Sequence, residues 1–306
     1  MAKYSIKDLE KLSGIKAHTI RIWEKRYELI NPSRTSTNIR YYSDQDLKKL
    51  LNVSNLHRNG IKISKIAQMS DQQIVDKVRE YAAETTDYES QVENLVISMI
   101  ELDEDRFERI LSKSIIRIGF DETIIRLVYP LFEKVGVLWV TGTVNPAQEH
   151  FMSNLIRQKL ISAIDSQIFI EKPDEKKFML FLNETEMHEL GLLFYSYLLK
   201  KQGHRVIYLG QSVPFSDLKE VNKIQFTEYM LTSFTAAMPN KEMPEYIQKL
   251  SSSFPDRIIF VTGLQMQDIE QKDLPNNIIK ICSPQELFKI LESLDVKKKE
   301  SDLIIG

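Results

Sequence analysis

The chain has 306 residues, of which 42% are hydrophobic and 27% charged, and its formal net charge is −2, a composition typical of ordinary globular proteins and not of disordered or fibrous ones. No apolar run approaches membrane-spanning length and the first residues do not resemble a secretion signal, so a cytoplasmic location is expected. The single cysteine, Cys282, excludes an internal disulfide framework and a cysteine-rich metal site, and is expected to pack in a core.

The charge is distributed unevenly along the chain. Residues 1–70 hold 14 Lys or Arg against 6 Asp or Glu, while the remaining residues hold 27 against 37. A basic N-terminal region on an acidic body is the electrostatic pattern of a protein that binds phosphate at one end. Nucleic acid is therefore the first partner that the composition suggests.

Two short helices are predicted at the N-terminus. Ser5 is a favoured N-cap for a helix that runs to Leu12, and Gly14 predicts its end. A second helix is predicted from Ala17 to Tyr27, which gives the spacing of a helix-turn-helix motif. One face of the second helix is apolar and can pack, while the other carries the candidate DNA-binding residues Arg21, Lys25 and Arg26.

A hairpin is predicted after the second helix. The stretch 31–38 is rich in turn-forming residues and leads into Ile39–Tyr42, so the chain should fold back on itself there as a wing. The candidate DNA-binding residues of this wing are Arg34, Arg40 and Tyr41.

The segment Thr19–Tyr27 is similar to the recognition helix of the MerR family of winged-helix regulators, and residues from Pro32 to Ser43 are similar to its wing. Residues 1–71 are therefore expected to form a DNA-binding domain of this type. The family often has glycine where Asn38 stands, and asparagine also tolerates the positive φ that such a turn requires. The resemblance implies a double-stranded DNA operator as partner and a homodimer or tetramer as assembly.

Residues 72–88 are polar and are expected to link this domain to the body, partly as helix. From residue 89 to 171, apolar residues recur at helical spacing in successive stripes, which predicts a four-helix bundle. The fourth helix is expected to open at Asn145–Gln148, where asparagine can cap the helix, proline fits its first position and glutamine can close a capping box.

Three residues are expected to gather at one end of the bundle: Trp139 at the end of the third helix, and Glu149 with His150 in the first turns of the fourth. They resemble a motif of the cobalamin-dependent photoreceptor regulators of the CarH and LitR type, in which it covers the upper face of cobalamin. Those regulators carry a histidine directly after the tryptophan, whereas this chain has Val140. Because valine cannot ligate cobalt, a light response by that route is not expected.

Strand and helix patterns alternate through residues 172–296, which predicts a Rossmann-like, doubly wound parallel sheet whose ligand site lies beyond the carboxyl ends of the strands. The predicted strands are Lys177–Leu182, Arg205–Leu209, Tyr229–Ser233, Arg257–Val261 and Ile278–Cys282. A last helix is predicted from Pro284 to Leu294, and residues 297–306 are expected to be a solvated tail.

The first predicted strand is followed by Glu186, His188 and Gly191. A histidine in this position can bind a metal through Nε2 while a nearby carboxylate accepts the proton of Nδ1 and orients the ring. The spacing resembles the cobalamin-binding signature, in which an acidic residue precedes an axial histidine and a glycine follows. His188 is therefore the expected metal ligand, with cobalamin as the cofactor.

The resemblance implies further cobalamin contacts at Gly210, Ser233 and Gly263. Thr262 stands where the family has the first glycine of a pair beside the nucleotide tail, so its side chain could tighten or block that groove. Two functions follow: a transcriptional regulator whose C-terminal module senses cobalamin and alters oligomerisation and operator binding, or a MerR-like regulator with a cobalamin-free sensor controlled by a protein partner. An accessory module for an enzyme is disfavoured by the basic N-terminal region.

No enzyme activity is expected of this chain. The sequence lacks a glycine-rich phosphate loop, a nucleophile elbow and a paired histidine site for zinc. The winged helix and the bundle also take up the part of the chain in which a separate catalytic domain would have to lie.

Overall fold

The computed structural model describes residues 4–35, 38–84, 87–140, 144–168, 172, 175–236 and 242–305, and for residues 79–84, 137, 139–140 and 296–305 only the backbone. The chain divides into two units, Met1–Ile156 and Arg157–Gly306. In the described part of the chain, no helix has the length and apolar composition of a membrane-spanning segment.

The first unit begins with a winged helix-turn-helix. Its two-stranded wing pairs Ser33 with Tyr41 in an antiparallel register, and Asn38 at the turn has a φ of +64°. The elements of this region are α1 (Ile6–Ser13), α2 (Ala17–Tyr27), β1 (Ser33–Arg34), β2 (Arg40–Tyr41), α3 (Asp44–Arg58), α4 (Ile63–Ile66) and α5 (Asp71–Glu84).

Local sequence explains the ends of α1. The Ser5 hydroxyl accepts a hydrogen bond from the Asp8 amide, and the Asp8 carboxylate accepts one from the Ser5 amide, which completes a capping box. Gly14 ends the helix in the left-handed conformation at φ +70°. The boundaries predicted for α1 and α2 therefore match those observed to within one residue.

The segment predicted as a linker contains a packed helix. Ile74 and Val78, one helical turn apart in α5, are both buried, and α5 packs on α3. These two apolar residues among polar neighbours give α5 a narrow apolar face. The polar composition of residues 72–88 concealed this face.

The rest of the first unit is a helical bundle. It comprises α6 (Tyr88–Glu101), α7 (Glu104–Ile118), α8 (Phe120–Thr123), a π-helical turn (Ile124–Val128), α9 (Tyr129–Val140) and the first part of α10 (Pro146–Asp165). Asp87 and Asp103 cap α6 and α7 by accepting hydrogen bonds from Ser90 and Arg106 amides. Val92, Leu95, Val96 and Met99 of α6 are buried. They form one of the apolar stripes predicted for residues 89–171.

The second unit is a five-stranded, all-parallel sheet covered by helices. Its strands are β3 (Lys177–Phe181), β4 (Arg205–Gly210), β5 (Tyr229–Ser233), β6 (Ile258–Thr262) and β7 (Ile278–Lys280), in the order β4-β3-β5-β6-β7. Its complete helices are α11 (Leu190–Lys201), α12 (Phe215–Ile224), α13 (Glu242–Ser253) and α14 (Pro284–Ile305). The predicted fold class is confirmed in both units.

Two expectations near the C-terminus are wrong. Cys282 is exposed rather than buried, because β7 ends at Lys280 and Cys282 lies in the turn where its amide donates to Glu286. The last helix, predicted to end at Leu294, extends as α14 to Ile305, so the segment 297–306 is helical along its described backbone. The lysine run of that segment favours solvent exposure, which is compatible with helix as well as with coil.

Candidate functional site

The strand order places the candidate site at a topological switch point. The chain leaves β3 toward β4 on one side and later returns to pair β5 on the other side of β3, so the loops after β3 and β5 diverge across the same edge. In open parallel sheets such a point forms a crevice beyond the carboxyl ends of the strands, and ligands bind there. The loop after β3 carries Glu186 and His188.

Glu186 joins these two loops and orients the histidine. One oxygen, Oε1, lies 2.6 Å from His188 Nδ1 and accepts the His188 amide at 2.9 Å. The other oxygen, Oε2, accepts the amides of Thr235 and Ala236, each at 2.7 Å, from the loop after β5. A metal bound by this imidazole would therefore be bound through Nε2, with the carboxylate behind the ring.

The carboxylate of Glu186 is held ionised although the residue is buried. Burial alone would raise its pKa, but the hydrogen bonds from the His188 ring and from three backbone amides outweigh burial and lower the pKa to about 2. Since this folded-state pKa lies below the unfolded value, the contribution of Glu186 to stability is present above about pH 4.5 and is lost as pH falls toward 2.

The imidazole itself is accessible. The His188 side chain is 63% exposed, in contrast to Glu186. A Cβ added at Gly191 would meet no atom within 4 Å, so there is open space beside the first turn of α11. One oriented nitrogen donor with free space nearby fits a metal whose other ligands come from a macrocycle, as in a corrin. Glu186 and His188 both lie in the loop after β3, where the sequence predicted them.

Glu189, which the sequence reasoning did not single out, is also buried at this edge. It accepts a hydrogen bond from the Tyr208 hydroxyl at 2.8 Å and forms an ion pair with Arg157. Gly210, at φ +81°, ends β4 next to it, and a Cβ there would approach the Glu189 carboxylate to 3.9 Å. The sequence offered one sign that Glu189 belongs to the site, namely its position directly after His188. The local sequence pattern did not predict that Glu189 is buried.

The ends of β5 and β6 carry the remaining predicted contacts. Ser233 is buried, with its hydroxyl 3.3 Å from that of Thr235. A hydrogen bond joins the hydroxyls of Tyr195 and Thr262, and burial raises the pKa of Tyr195 to about 12. The Thr262 side chain, which was expected to add volume beside the nucleotide tail, is thus packed against a buried tyrosine of α11.

Gly263 has a structural requirement of its own. Its φ is +106°, and a Cβ there would lie within 2.7 Å of the backbone nitrogen and carbonyl carbon of Phe234. We expect Gly263→Ala to lower the free energy of unfolding by at least about 2 kcal/mol, since backbone cannot yield as a flexible side chain can. The matched variant Gly191→Ala should leave it within about 0.5 kcal/mol. Chemical denaturation of both variants measures this, and equal stabilities would contradict the packing argument.

The bundle residues of the predicted site are described only in part. Trp139 lies at the end of α9, but its side chain is outside the described residues, as is that of Val140. Glu149 and His150 lie in the first turns of α10 as predicted, and Glu149 Oε2 is 3.6 Å from the Nε2 of the exposed His150. Asn145 accepts the Ala147 amide at 2.9 Å, so the cap that fixes the start of α10 is present.

The surface of α2 separates packing residues from charged ones. Ile20 and Trp23 are buried, and Trp23 makes an edge-to-face contact with His57. The exposed side chains recur at positions i, i+3, i+4, i+7 and i+8, which is one continuous helical face. We call this face the α2 stripe. It consists of His18, Arg21, Ile22, Lys25 and Arg26.

The wing is fastened to α2 through Glu24. Its carboxylate accepts a hydrogen bond from the Tyr42 hydroxyl at 2.5 Å and lies 3.7 Å from Arg40 Nε. Arg40 therefore has a packing partner besides any role on DNA. Arg34 is exposed and donates to the Asn38 side chain at 2.7 Å, and Tyr41 is half-buried.

Comparison with family models identifies two regions. Residues 4–73 match the model described as MerR HTH family regulatory protein, and residues 91–162 match that described as B12 binding domain. The first match covers the winged helix-turn-helix with the start of α5, and the second covers the bundle helices. The resemblance of the N-terminal domain to the MerR family and that of the bundle to a cobalamin-binding region are thereby confirmed.

Two relatives align with most of the chain. The chain is 27% identical to the HTH-type transcriptional repressor CarH of Myxococcus xanthus over 82% of this chain and 85% of that protein. It is 26% identical to the repressor CarA of the same organism over 85% and 86%. A match to the HTH-type transcriptional regulator MlrA of Escherichia coli (strain K12), at 32% identity, covers 25% of this chain and 31% of that protein.

Among solved structures, the monomethylamine corrinoid protein of Methanosarcina barkeri resembles this chain with a TM-score of 0.52 and 12% identity. The similarity covers 74% of this chain and all of that one. At this identity the likeness concerns the fold alone.

Proposed function

We propose that this chain, which combines a MerR-type helix-turn-helix domain with a B12-binding domain, is a transcriptional regulator that binds an operator in double-stranded DNA and senses cobalamin. The observation that carries the sensor role is the Glu186–His188 pair at the switch point of the sheet, with the imidazole accessible and its Nδ1 held by a buried carboxylate. Adenosylcobalamin or a related cobalamin is the proposed cofactor.

In this proposal His188 is the metal ligand from below and Glu186 its positioning residue. When bound, the corrin cobalt would supply a Lewis acid, and the neutral imidazole of His188 would ligate it. Gly191 would leave room for the macrocycle beside α11, and Gly210, Ser233 and Gly263 would line the way for its tail. Trp139, Glu149 and His150 would also contact the cofactor, a role that the match of the bundle to a B12 binding domain supports.

The DNA role is supported by charge and by the form of the N-terminal domain. The α2 stripe presents Arg21, Lys25 and Arg26 to solvent, and the wing adds Arg34. A helix of this kind enters the major groove, while cations neutralise phosphates and fix the register. The relatives CarH and CarA bear the name of transcriptional repressors, which supports regulation of transcription as the outcome.

Regulation would follow from a change of assembly. We place the protein in the cytoplasm as a homodimer or tetramer on a near-palindromic operator, with cobalamin altering oligomerisation and operator affinity. No catalytic step is assigned to it. Its binding energy is used to shift populations and not to lower a reaction barrier.

One observation favours a second candidate function. The Tyr195–Thr262 hydrogen bond puts a buried aromatic ring and a hydroxyl at the end of β6, where the tail of a cobalamin would need space. If this pair closes the groove, the same chain would be a MerR-type regulator with a ligand-free sensor, and a protein partner would control it.

A titration in the dark separates the two candidates. Adenosylcobalamin is added to purified apoprotein, and visible absorbance, sedimentation and binding to a labelled genomic-fragment pool are recorded. The sensor proposal expects a coloured 1:1 complex whose sedimentation or DNA affinity differs from that of the apoprotein. DNA binding without any spectral change or co-sedimenting corrinoid would favour the ligand-free regulator, and loss of affinity with rising salt would identify the phosphate contacts.

A further inference from the structure

Ile22 lies on the surface of α2 that the proposed function turns toward DNA. Its side chain is 52% exposed, although its neighbours Ile20 and Trp23 are buried on the other side of the helix. In the α2 stripe, which the structure describes in full, Ile22 is the one aliphatic side chain. It lies one turn from both His18 and Arg26, at the middle of the stripe.

A single exposed apolar residue needs no explanation by itself, so the residues around Ile22 decide whether its exposure indicates a binding surface. Here the flanking residues Arg21, Lys25 and Arg26 are cations of one exposed face, and a polyanion that binds them would bring its surface onto Ile22 as well. Ile116 of α7 is also exposed beside cations, Lys113 and Arg117, but it lies in the bundle, whereas Ile22 lies in the helix-turn-helix that matches a DNA-binding family. Charge complementarity therefore identifies DNA as the occupant over Ile22.

Isoleucine also has few conformations to lose on binding. Its branched Cβ restricts χ1 in a helix, so the position of its methyl groups is set before DNA arrives. It cannot donate or accept a hydrogen bond, and burying it against a polar base edge would leave that edge without water. In the major groove the apolar group of a base edge is the C5 methyl of thymine.

We propose that Ile22 is a specificity-determining residue that reads the methyl group of a thymine in each operator half-site. This inference rests on the proposed function, because it assumes that α2 enters the major groove. Arg21, Lys25 and Arg26 would supply most of the affinity, and Ile22 would distinguish thymine from cytosine and from uracil at one position. Uracil differs from thymine by that methyl group alone.

The test uses deoxyuridine. Duplexes are selected from a random pool with the full-length protein, and each thymine of the best sequence is then replaced, symmetrically in both half-sites, by deoxyuridine. Fluorescence anisotropy measures the affinity for each duplex. We expect one symmetric position at which the wild-type protein loses roughly 10-fold in affinity. Removing a methyl group from an apolar contact costs about 4-fold, and the symmetric replacement removes one methyl group in each half-site.

Variants assign this position to Ile22. Ile22→Ala should bind the thymine duplex roughly 10-fold more weakly than the wild type and should no longer respond to deoxyuridine, since both changes remove the same contact. The matched variant Ile116→Ala removes an isoleucine that is 86% exposed on the bundle and should keep the full response.

The failures of the two proposals are distinguishable. If the selection enriches no duplex, DNA binding itself fails and the inference falls with it. If the protein binds selected DNA but no thymine shows a methyl dependence that Ile22→Ala removes, the regulator proposal stands and the role of Ile22 is overturned. A response that persists in Ile22→Ala assigns the methyl contact to another residue and overturns it equally.

Discussion

Replacement of His188 by alanine is expected to reduce the affinity for adenosylcobalamin on the order of 100-fold or more, because the variant lacks the nitrogen that would bind cobalt. Loss of a hydrogen-bonded group behind a metal ligand typically costs 10–100-fold, and loss of the ligand itself should exceed this range. The protein should still fold, since the imidazole is largely exposed and Glu186 keeps its amide donors from Thr235 and Ala236. Visible absorbance and equilibrium dialysis measure the effect.

Two further variants make this result specific. Glu186→Gln should lower the affinity roughly 10-fold, because a neutral amide orients the imidazole less firmly than a carboxylate does. His18→Ala removes an exposed histidine of α2 and should bind cobalamin as the wild type does. Equal binding by the wild type and His188→Ala would remove the proposed ligand, whatever the DNA affinity of the two proteins.

Replacement of Arg58 by methionine is expected to destabilise the first unit by about 3 kcal/mol. Arg58, at the end of α3, forms an ion pair with Glu93 of α6, which is completely buried, and a second one with Glu89 at 2.8 Å. Lys134 of α9 lies 3.9 Å from Glu93 and donates to the Leu12 carbonyl of α1 at 3.0 Å, so four helices of the bundle and winged-helix region meet here. Removing one partner of a buried ion pair leaves a charge without compensation.

The pH dependence of this variant follows from Glu93. Burial raises its pKa to about 7 although Arg58 and Lys134 oppose the shift. A folded-state pKa above the unfolded value means that the protonated form stabilises the fold at low pH, and this contribution is lost as pH rises through about 7. The destabilisation by Arg58→Met should therefore be smaller at pH 5.5 than at pH 8.

Controls separate burial from charge. Lys48→Met breaks a partly exposed ion pair with Glu101, of 3.3 Å, and should cost less than about 1 kcal/mol. The double variant Arg58→Met/Glu93→Leu should recover most of the lost stability, because neither charge is then buried. Urea unfolding at both pH values provides the measurement, and an undiminished loss in the double variant would contradict the ion-pair explanation.

A direct contact couples the bundle to the winged helix-turn-helix within the first unit. Lys134 lies on the same helix, α9, that ends near Trp139, and it contacts the carbonyl of Leu12 at the end of α1. A displacement of α9 would therefore reach the helix-turn-helix through a direct contact.

Features that depend on neighbouring residues were predictable from the sequence. The capping pair Ser5 and Asp8, the glycine at position 14 and the Asn145 cap each fix a helix end through contacts within three or four residues. The two predicted boundaries of α2 and those of β5 agree with the structure, since the periodicity of apolar residues reports burial directly. The pairing of Glu186 with His188 spans two residues and was predicted for the same reason.

Features that depend on distant residues needed the tertiary structure. The strand order decides that the loop after β5 comes beside the loop after β3, and only then do the amides of Thr235 and Ala236 reach Glu186, some 50 positions earlier. The exposed position of Cys282 and the packing of Ile74 and Val78 depend likewise on where other elements lie. The short-range periodicity of apolar residues carries no information on these long-range contacts.

The sequence by itself thus determined the kind of each domain, the helix that is proposed to face DNA and the histidine that is proposed to hold cobalt. The tertiary structure decided which carboxylates became buried, the low pKa of Glu186 and the raised pKa of Glu93, and the reason that Gly263 must be glycine. The physical reason is that helix ends and motifs arise from contacts within a few residues. Burial, and the electrostatic energies that follow from it, arise only when distant segments exclude water together.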